Sequence, residues 1–405
     1  MKNHLTAVIL GAIIVACAPQ EGATDEEGAE STTSVGSELT SPVPGTVTFD
    51  SFAGATTDEK ITAMNAWAKA FGSSTSRPAV IFDAKVYSHS VPIELWSGLS
   101  LVGARRTAAR EYSTGTVLKY TGAAGSSQLK FVTNVQGYPS DGSPRDISFD
   151  SIQFTGHTNV NHVPKNDPGS GAYQGKVLWY VNWHNCGWVG FNTIWWGWGD
   201  GVTISGISHI QAVADTAFYL AGAENHLFEA YSYADNGTSA WMSSGKPFIR
   251  SRMEKSSIGR IMLSARGNSY GISVEGGNNL VIDGVAFDAP GSQPTSGKQL
   301  AISGGTGIRV TNCSFWAGMA NPSAATGGVA QNRGNIHVTG GQQIVIDGNN
   351  FRGTSPVLYT GSNVGAKQVK WGLSGYPTNP SPRIEQYRND QVADIDPTVA
   401  LVVAP

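Results

Sequence analysis

The sequence predicts an all-β solenoid, a right-handed parallel β-helix with one helix capping its N-terminal end, and three observations carry that expectation. First, a 16-residue pattern is written three times, at 272–287 (ISVEGGNNLVIDGVAF), 300–315 (LAISGGTGIRVTNCSF) and 336–351 (IHVTGGQQIVIDGNNF), with an earlier copy at 218–233 (FYLAGAENHLFEAYSY). Laid over one another without gaps, the three lines keep an apolar residue at the first, third, ninth and eleventh places, Gly at the fifth and Phe at the last. Second, apolar and polar residues alternate over two short runs broken by a Gly turn, which is the signature of two strands with one buried face each. Third, no long amphipathic helix separates the copies, whose starts lie 28 and 36 residues apart, so each must bury its apolar face by stacking on the next. A β-sandwich, the competing all-β fold, would favour two-residue Asn-Gly or Asp-Gly hairpins rather than an in-register Gly ladder.

The chain has 405 residues, 50 of them Gly and only 14% charged, a composition with enough apolar content for a sizeable core. Residues 1–17 read as an export signal: Lys2 and His4 precede an apolar run from Leu5 to Ala16, too short to span a bilayer. Ile14-Val15-Ala16-Cys17 resembles a bacterial lipobox, in which Cys17 becomes the lipidated first residue, so the expected location is secreted or cell-surface, with the membrane met only through a lipid anchor. Residues 18–45 hold six acidic residues and no basic one among Ser, Thr, Gly and Pro, an acidic tether unable to bury enough apolar surface to fold.

From Thr46 onward there are 26 Lys and Arg (all but Lys2) against 24 Asp and Glu (all but the six of the tether). That balance excludes a basic nucleic-acid surface. Cys186 and Cys313 would lie several coils apart at roughly 4.8 Å per coil, and a disulfide needs Cα atoms within about 7 Å, so two free, buried thiols are expected.

The folded domain spans 46–354. Thr56-Thr57-Asp58-Glu59 has capping-box spacing, and Ile61, Met64, Trp67, Ala68 and Phe71 follow at helical intervals. A solenoid's open apolar end must be covered, which places this helix over the first coil. Residues 78–104 (PAVIFDAKVYSHSVPIELWSGLSLVGA) then alternate as short strands. The helix start, the strands carrying VIFDAKVYSHSVPIEL, the SGLSLVGA turn and the later L-x-I-D-G-x-x-F coils resemble the pectin-lyase-like superfamily, especially its phage-tailspike and secreted polysaccharide-depolymerase subgroup, over most of residues 50–354. The resemblance implies the β-helix fold and a polysaccharide partner. It does not fix the chemistry, since the superfamily holds lyases, hydrolases, epimerases and non-catalytic binders. The polygalacturonase residue set is absent, its nearest trace being Gly156-His157-Thr158.

Residues 147–154 (ISFDSIQF) repeat the second half of the coil. A polar insertion of about twenty residues follows, of the kind that forms binding loops, and His157, His162, Lys165 and Asp167 are its candidates. After Phe351 the repeat fades into a Pro-rich C-terminal cap, 355–405, with an oligomerisation strand as the alternative; the oligomeric state is not legible.

Asp150, Asp283 and Asp347 share one slot beside a turn, where an Asp side chain bonds backbone, and read as structural. The copy at 218–233 departs from the rule: Glu224 enters the turn, His226 an apolar place and Glu229 the Asp slot. Sites that break local rules are where function concentrates. Asp200, Asp215 and Asp235 flank this copy, and FIRSRMEKS (248–256) puts Arg250 and Arg252 on one strand face. The run at 177–201 carries six Trp and His184. Adjacent residues of a strand face opposite ways, so Trp195 and Trp196 cannot both point inward. An internal stack is expected to take Trp179, Trp183 and Trp188, leaving Trp196 and Trp198 as outward platforms for sugar C–H faces.

A lyase on a uronic-acid polymer must neutralise the carboxylate, remove the adjacent proton and protonate the leaving oxygen: Arg250 and Arg252 neutralise, with Lys255 or His226 as base. A hydrolase needs two carboxylates, drawn from Asp200, Glu224, Glu229 and Asp235. Trp196, Trp198, His184 and His157 are the substrate-binding candidates. A non-catalytic adhesin or tailspike-like receptor would use the same groove. No organic cofactor is expected, since no nucleotide or phosphate fingerprint is present, although oxygen-rich turns suit a calcium ion.

Overall fold

Every pairing among the described strands is parallel, in a 21-stranded sheet, a 10-stranded sheet and one two-stranded pair. The computed structural model describes residues 45–71, 78–104, 115–132, 144–166, 177–211, 213–230, 232–235, 246–264, 271–289, 299–317 and 334–352, with short strands at 355–359, 369–372, 394–395 and 401–403. Cys17, the tether, Asp167, most of the C-terminal cap and the side chains of Phe71, Asp235 and Asp347 lie outside the described residues.

The chain winds through three ladders. Trp195–Asp200, Phe218–Ala223, Ile249–Glu254, Ile272–Val274 and Leu300–Ile302 stack in the first. Thr203–Ser205, His226–Leu227, Ser257–Ile258, Val281–Asp283 and Arg309–Thr311 stack in the second. His209–Gln211, Ser232–Asp235, Ile261–Ser264, Ala286–Ala289 and Ser314–Ala317 form the third. The first two ladders divide at Leu178–His184, whose Trp179 pairs with Asp200 while its Asn182 pairs with Thr203.

The repeat is this register: Ile272, Leu300 and Ile336 align, as do Ile282, Val310 and Ile346, and Phe287, Phe315 and Phe351. The copy at 218–233 aligns at its start, Phe218 with Ile249 and Ile272, but is one residue short after its turn. Leu227, not His226, therefore stands in line with Ile258 and Ile282, and Glu229 does not occupy the Asp slot. The reason is where the turn falls. Both copies turn through the same pair of positive-φ residues, Gly222 (φ 103°) with Glu224 (φ 57°) and Gly277 (φ 90°) with Asn279 (φ 56°), but Gly222 comes one residue sooner after Phe218 than Gly277 does after Ile272.

Between the first two ladders one left-handed residue recurs in every described coil, in the column Gly98, Asp146, Tyr180, Gly201, Glu224, Lys255, Asn279, Gly307 and Gln343, with φ between 46° and 80°. A second such turn follows the structural Asp slot. Asp150 accepts the Ser151 hydroxyl (2.9 Å), and Asp283 accepts from Thr311 Oγ1 (2.9 Å) and Asn312 Nδ2 (2.8 Å).

Inward residues form one continuous core. Trp183 lies flat on Phe149 (5.3 Å, 12°) and edge-on to Trp195 (5.2 Å), with Trp188 and Phe154 beside them. Trp179 is not part of this stack: it is half-exposed, with the Arg145 guanidinium 5.7 Å from its ring, because its place in the strand points outward. Cys186 and Cys313 are free and buried. Buried Asn225 ties adjacent coils, its Oδ1 accepting Val202 N–H (3.0 Å) and its Nδ2 donating to Gly199 O (2.8 Å).

The helix Thr57–Phe71 opens with the expected capping box: Glu59 N–H donates to Thr56 Oγ1 (3.2 Å) and Glu59 Oε2 accepts Thr56 N–H (3.0 Å). Ile61, Met64 and Ala68 join the core, and Asp58 holds the Ser90 and Val91 amides, fixing the helix on the first coil.

Inside the N-terminal coils, Gln128 joins two buried histidines. Its Oε1 accepts His162 Nδ1–H (3.0 Å), and its Nε2 donates to Leu118 O (2.9 Å) and faces His89 Nε2 (3.3 Å), while His89 Nδ1–H donates to Val91 O (2.8 Å). Burial holds both imidazoles neutral, lowering His89 and taking His162 to about 3. A depressed folded pKa leaves stability unaffected above the unfolded value of about 6.5, and costs stability below it, where only the unfolded chain takes up the proton. Unfolding stability should therefore be flat above pH ~6.5 and fall by about 1.4 kcal/mol per pH unit from His162 alone toward pH 3. Denaturant titrations across pH test this, and His162→Gln should flatten the slope by one proton.

Candidate functional site

Because side chains alternate along a strand, register lines up outward residues from consecutive coils of the first ladder, about 4.8 Å apart. One row reads Trp196, Tyr219, Arg250, Ser273, Ala301. The neighbouring row holds Trp198, Ala221 and Arg252, followed by Glu275.

The rows interlock. The Arg250 guanidinium makes a bidentate pair with Glu275 (Nε–Oε1 2.6 Å, Nη2–Oε2 2.9 Å) and lies 3.9 Å from the Tyr219 ring centroid and 5.6 Å from that of Trp196. Arg252 Nε stands 3.8 Å from the second Glu275 oxygen. Trp196 and Tyr219 meet edge to face at 5.1 Å. On the other side of Trp196, Lys165 Nζ is 4.4 Å from the ring centroid, carried there by the loop whose Asn166 N–H donates to Trp196 O (2.7 Å). Lys246 pairs with Asp215 (2.9 Å), and both act electrostatically on Lys165.

The strip thus gathers four cations, Lys165, Lys246, Arg250 and Arg252, around two carboxylates and the edge-to-face pair of Trp196 and Tyr219. Burial lowers the Lys165 pKa, with Asp215 opposing and Lys246 reinforcing. Burial also raises the Tyr219 phenol, keeping it protonated. Bidentate charge-assisted bonding fixes the Arg250 plane, which lies against the buried Tyr219 ring.

Of the residues singled out in the sequence, this arrangement brings together Arg250, Arg252, Trp196 and Lys165, with Trp198 half-buried in the adjoining row. Others stand apart. Asp200 is outward on the same ladder, but its Oδ1 accepts the Ala223 amide of the next coil. Glu224 and Lys255 are neighbours in the left-handed turn column, and Lys255 lies five residues beyond Arg250, about 16 Å along the strand. His226 and His184 belong to the second ladder, bonded through Nδ1 to Ser257 (2.9 Å) and Ser205 (3.0 Å). His157 is held by Gly122 O (3.0 Å), His162 is in the core, Glu229 is exposed past the second ladder, and Asp235 lies on the third. Tyr219, Glu275 and Lys246 were missed. For Tyr219 and Glu275 the signal was present: both hold outward places of the repeat, the second and the fourth, with the same parity as Arg250 and Arg252. Among the described residues no group of three or more His, Cys, Asp or Glu side chains gathers to hold a metal ion.

No family model and no curated protein matches the chain. Solved structures do. The Agl-KA catalytic domain superposes with a TM-score of 0.51 at 9% identity, over 90% of this chain and 69% of that one. ORF18 of Geobacillus virus E2 gives 0.45 at 14% identity, over 82% of this chain, which spans only 62% of the viral protein. The A-module of the Azotobacter vinelandii mannuronan C-5 epimerase AlgE4 gives 0.41 at 12% identity, over 88% and 97%. With its three parallel ladders, in-register coils and capping helix, the chain has a parallel β-helix fold, the fold it shares with the Agl-KA catalytic domain.

Proposed function

We propose that the protein binds and cleaves an acidic, uronate-containing polysaccharide on the outer face of the first ladder, by lyase chemistry. The observation that carries this reading is the strip of four cations around the half-buried Trp196, with Tyr219 buried against Arg250, in which cations outnumber carboxylates two to one. A sugar ring stacks its C–H face on Trp196, and Arg250 and Arg252 neutralise its carboxylate. That neutralisation acidifies the adjacent C–H. Lys165, whose lowered pKa makes the neutral amine more accessible, takes this proton as base in place of Lys255 and His226. The electron pair forms the C=C bond as the glycosidic C–O bond breaks, and solvent protonates the leaving oxygen.

A hydrolase reading has less support, because the carboxylates nearby are engaged: Glu275 with Arg250, Asp215 with Lys246 and Asp200 with the Ala223 amide. A second reading, a non-catalytic glycan-binding adhesin or tailspike-like receptor, is favoured by the same engagement, which leaves no converging pair of free carboxylic groups among the described residues of the strip. We further propose export and a lipid tether at Cys17. No organic cofactor enters the proposal.

Incubating the full chain with acidic and neutral polysaccharides, while following unsaturated-product absorbance and reducing ends, separates these readings. New ultraviolet absorbance on a uronate polymer supports the lyase, reducing ends alone the hydrolase, and binding without product the adhesin. Loss of the lyase signal in EDTA would give the neutralising role to a calcium ion. Arg250→Lys should lower kcat/KM by roughly a hundredfold, since lysine cannot present a planar fork, and Trp196→Ala should weaken polymer binding about tenfold. The rate should rise with pH as Lys165 deprotonates. Cys17→Ser should move the protein from the membrane to the soluble fraction.

A further inference from the structure

A second concavity lies across the turn column from the cationic strip, on the second ladder. It has a volume of about 460 Å³, and its lining includes Tyr180, Asn182, Asp146, Ser100 and Ser148. We propose that this groove is a binding site for a neutral sugar residue, with Tyr180 as its stacking platform, independent of the acidic-glycan reading of the first ladder.

Tyr180 is the reason. It is one of the few large apolar side chains left in the open, 50% exposed, and its backbone is left-handed (φ 50°). The left-handed backbone is the one the fold uses at this place in the other described coils, so what singles Tyr180 out is a bulky ring left half-exposed there. The next coil is shaped around its ring. A Cβ added to Gly201 would clash with the Tyr180 ring carbon Cδ1, so glycine there lets the ring lie over the backbone and fixes its orientation. A half-exposed aromatic face held in one orientation is what a pyranose C–H face needs.

The hydrogen-bonding groups around it suit sugar hydroxyls. Ser100 and Ser148 form a hydroxyl pair (2.8 Å) from stacked coils, and the exposed Asn182, also lining the groove, accepts the Ser205 hydroxyl (3.2 Å) on Oδ1. The charged group lining it is the carboxylate of Asp146. An acidic sugar would meet repulsion, whereas a neutral one gains a strong acceptor. Ligand sites of this size combine an apolar wall with a few convergent polar groups in the same way. Tyr180 aligns with Gly201, five residues and roughly 16 Å along the strand from Trp196, so the groove is separate from the strip.

The test is isothermal titration of the full chain with neutral gluco-, manno- and galacto-tetraoses, and with a tetrauronate as the acidic comparison. The expected result is binding of at least one neutral tetraose, lost at least tenfold in Tyr180→Ala and Tyr180→Gly, kept within threefold in Tyr180→Phe, and unchanged in Arg250→Lys. Tyr180→Gly separates a platform from a structural residue. Glycine adopts the left-handed turn freely, so this variant should keep its Tm while losing the sugar. Three results would each overturn the proposal: no neutral tetraose binding at millimolar concentration, binding that survives Tyr180→Gly, or binding abolished by Arg250→Lys.

Discussion

The in-register stacking of parallel coils is the constraint on which everything else in this molecule depends. Each strand satisfies its backbone groups only through the coils before and after it, so a residue's place in the repeat decides at once whether it faces the core and which side chains become its neighbours. Ile272 meets Leu300 and Ile336 because all three occupy the first place. By the same rule Trp196, Tyr219 and Arg250, spread over 55 positions of sequence, become adjacent on the surface. The fold converts distant residues into a strip without any loop having to assemble it.

Stacking also sets the costs. In the described coils the chain turns between the first and second ladders with a left-handed residue, glycine at Gly98, Gly201 and Gly307 but Tyr180, Glu224 and Lys255 elsewhere. Inside, a tube this aromatic still buries polar groups, and some of them pair across coils: Asn225 bridges Val202 and Gly199, and Gln128 joins two neutral histidines. The acid sensitivity expected of His162 follows from placing a titratable ring where the coil register demands an inward side chain.

Much of the fold was legible because its signal is repetition. The 16-residue pattern gave the register of the later coils, the TTDE box gave the helix start, and alternation correctly turned Trp195 in and Trp196 out. What escaped was where individual turns begin. One residue fewer between Phe218 and its turn shifts His226 out of the apolar place, and a gapless overlay cannot see that difference. Trp179 was misplaced inward although strand parity with Trp183 permits either face once a left-handed residue, Tyr180, intervenes. The candidate site was legible in its arginines and Trp196, which are chemically conspicuous. Tyr219 and Glu275 were not, because they look like ordinary repeat residues until register brings them against Arg250.

The central claim is that an acidic glycan lies on the Trp196–Arg250 strip. Hydroxyl-radical footprinting of the full chain, with and without a saturating oligouronate, tests it most directly by reading the oxidation of each aromatic side chain by mass spectrometry. The account predicts protection of Trp196 and Trp198 with Tyr180 unchanged. A bound oligouronate that leaves Trp196 fully oxidised, or that protects Tyr180 instead, would contradict it.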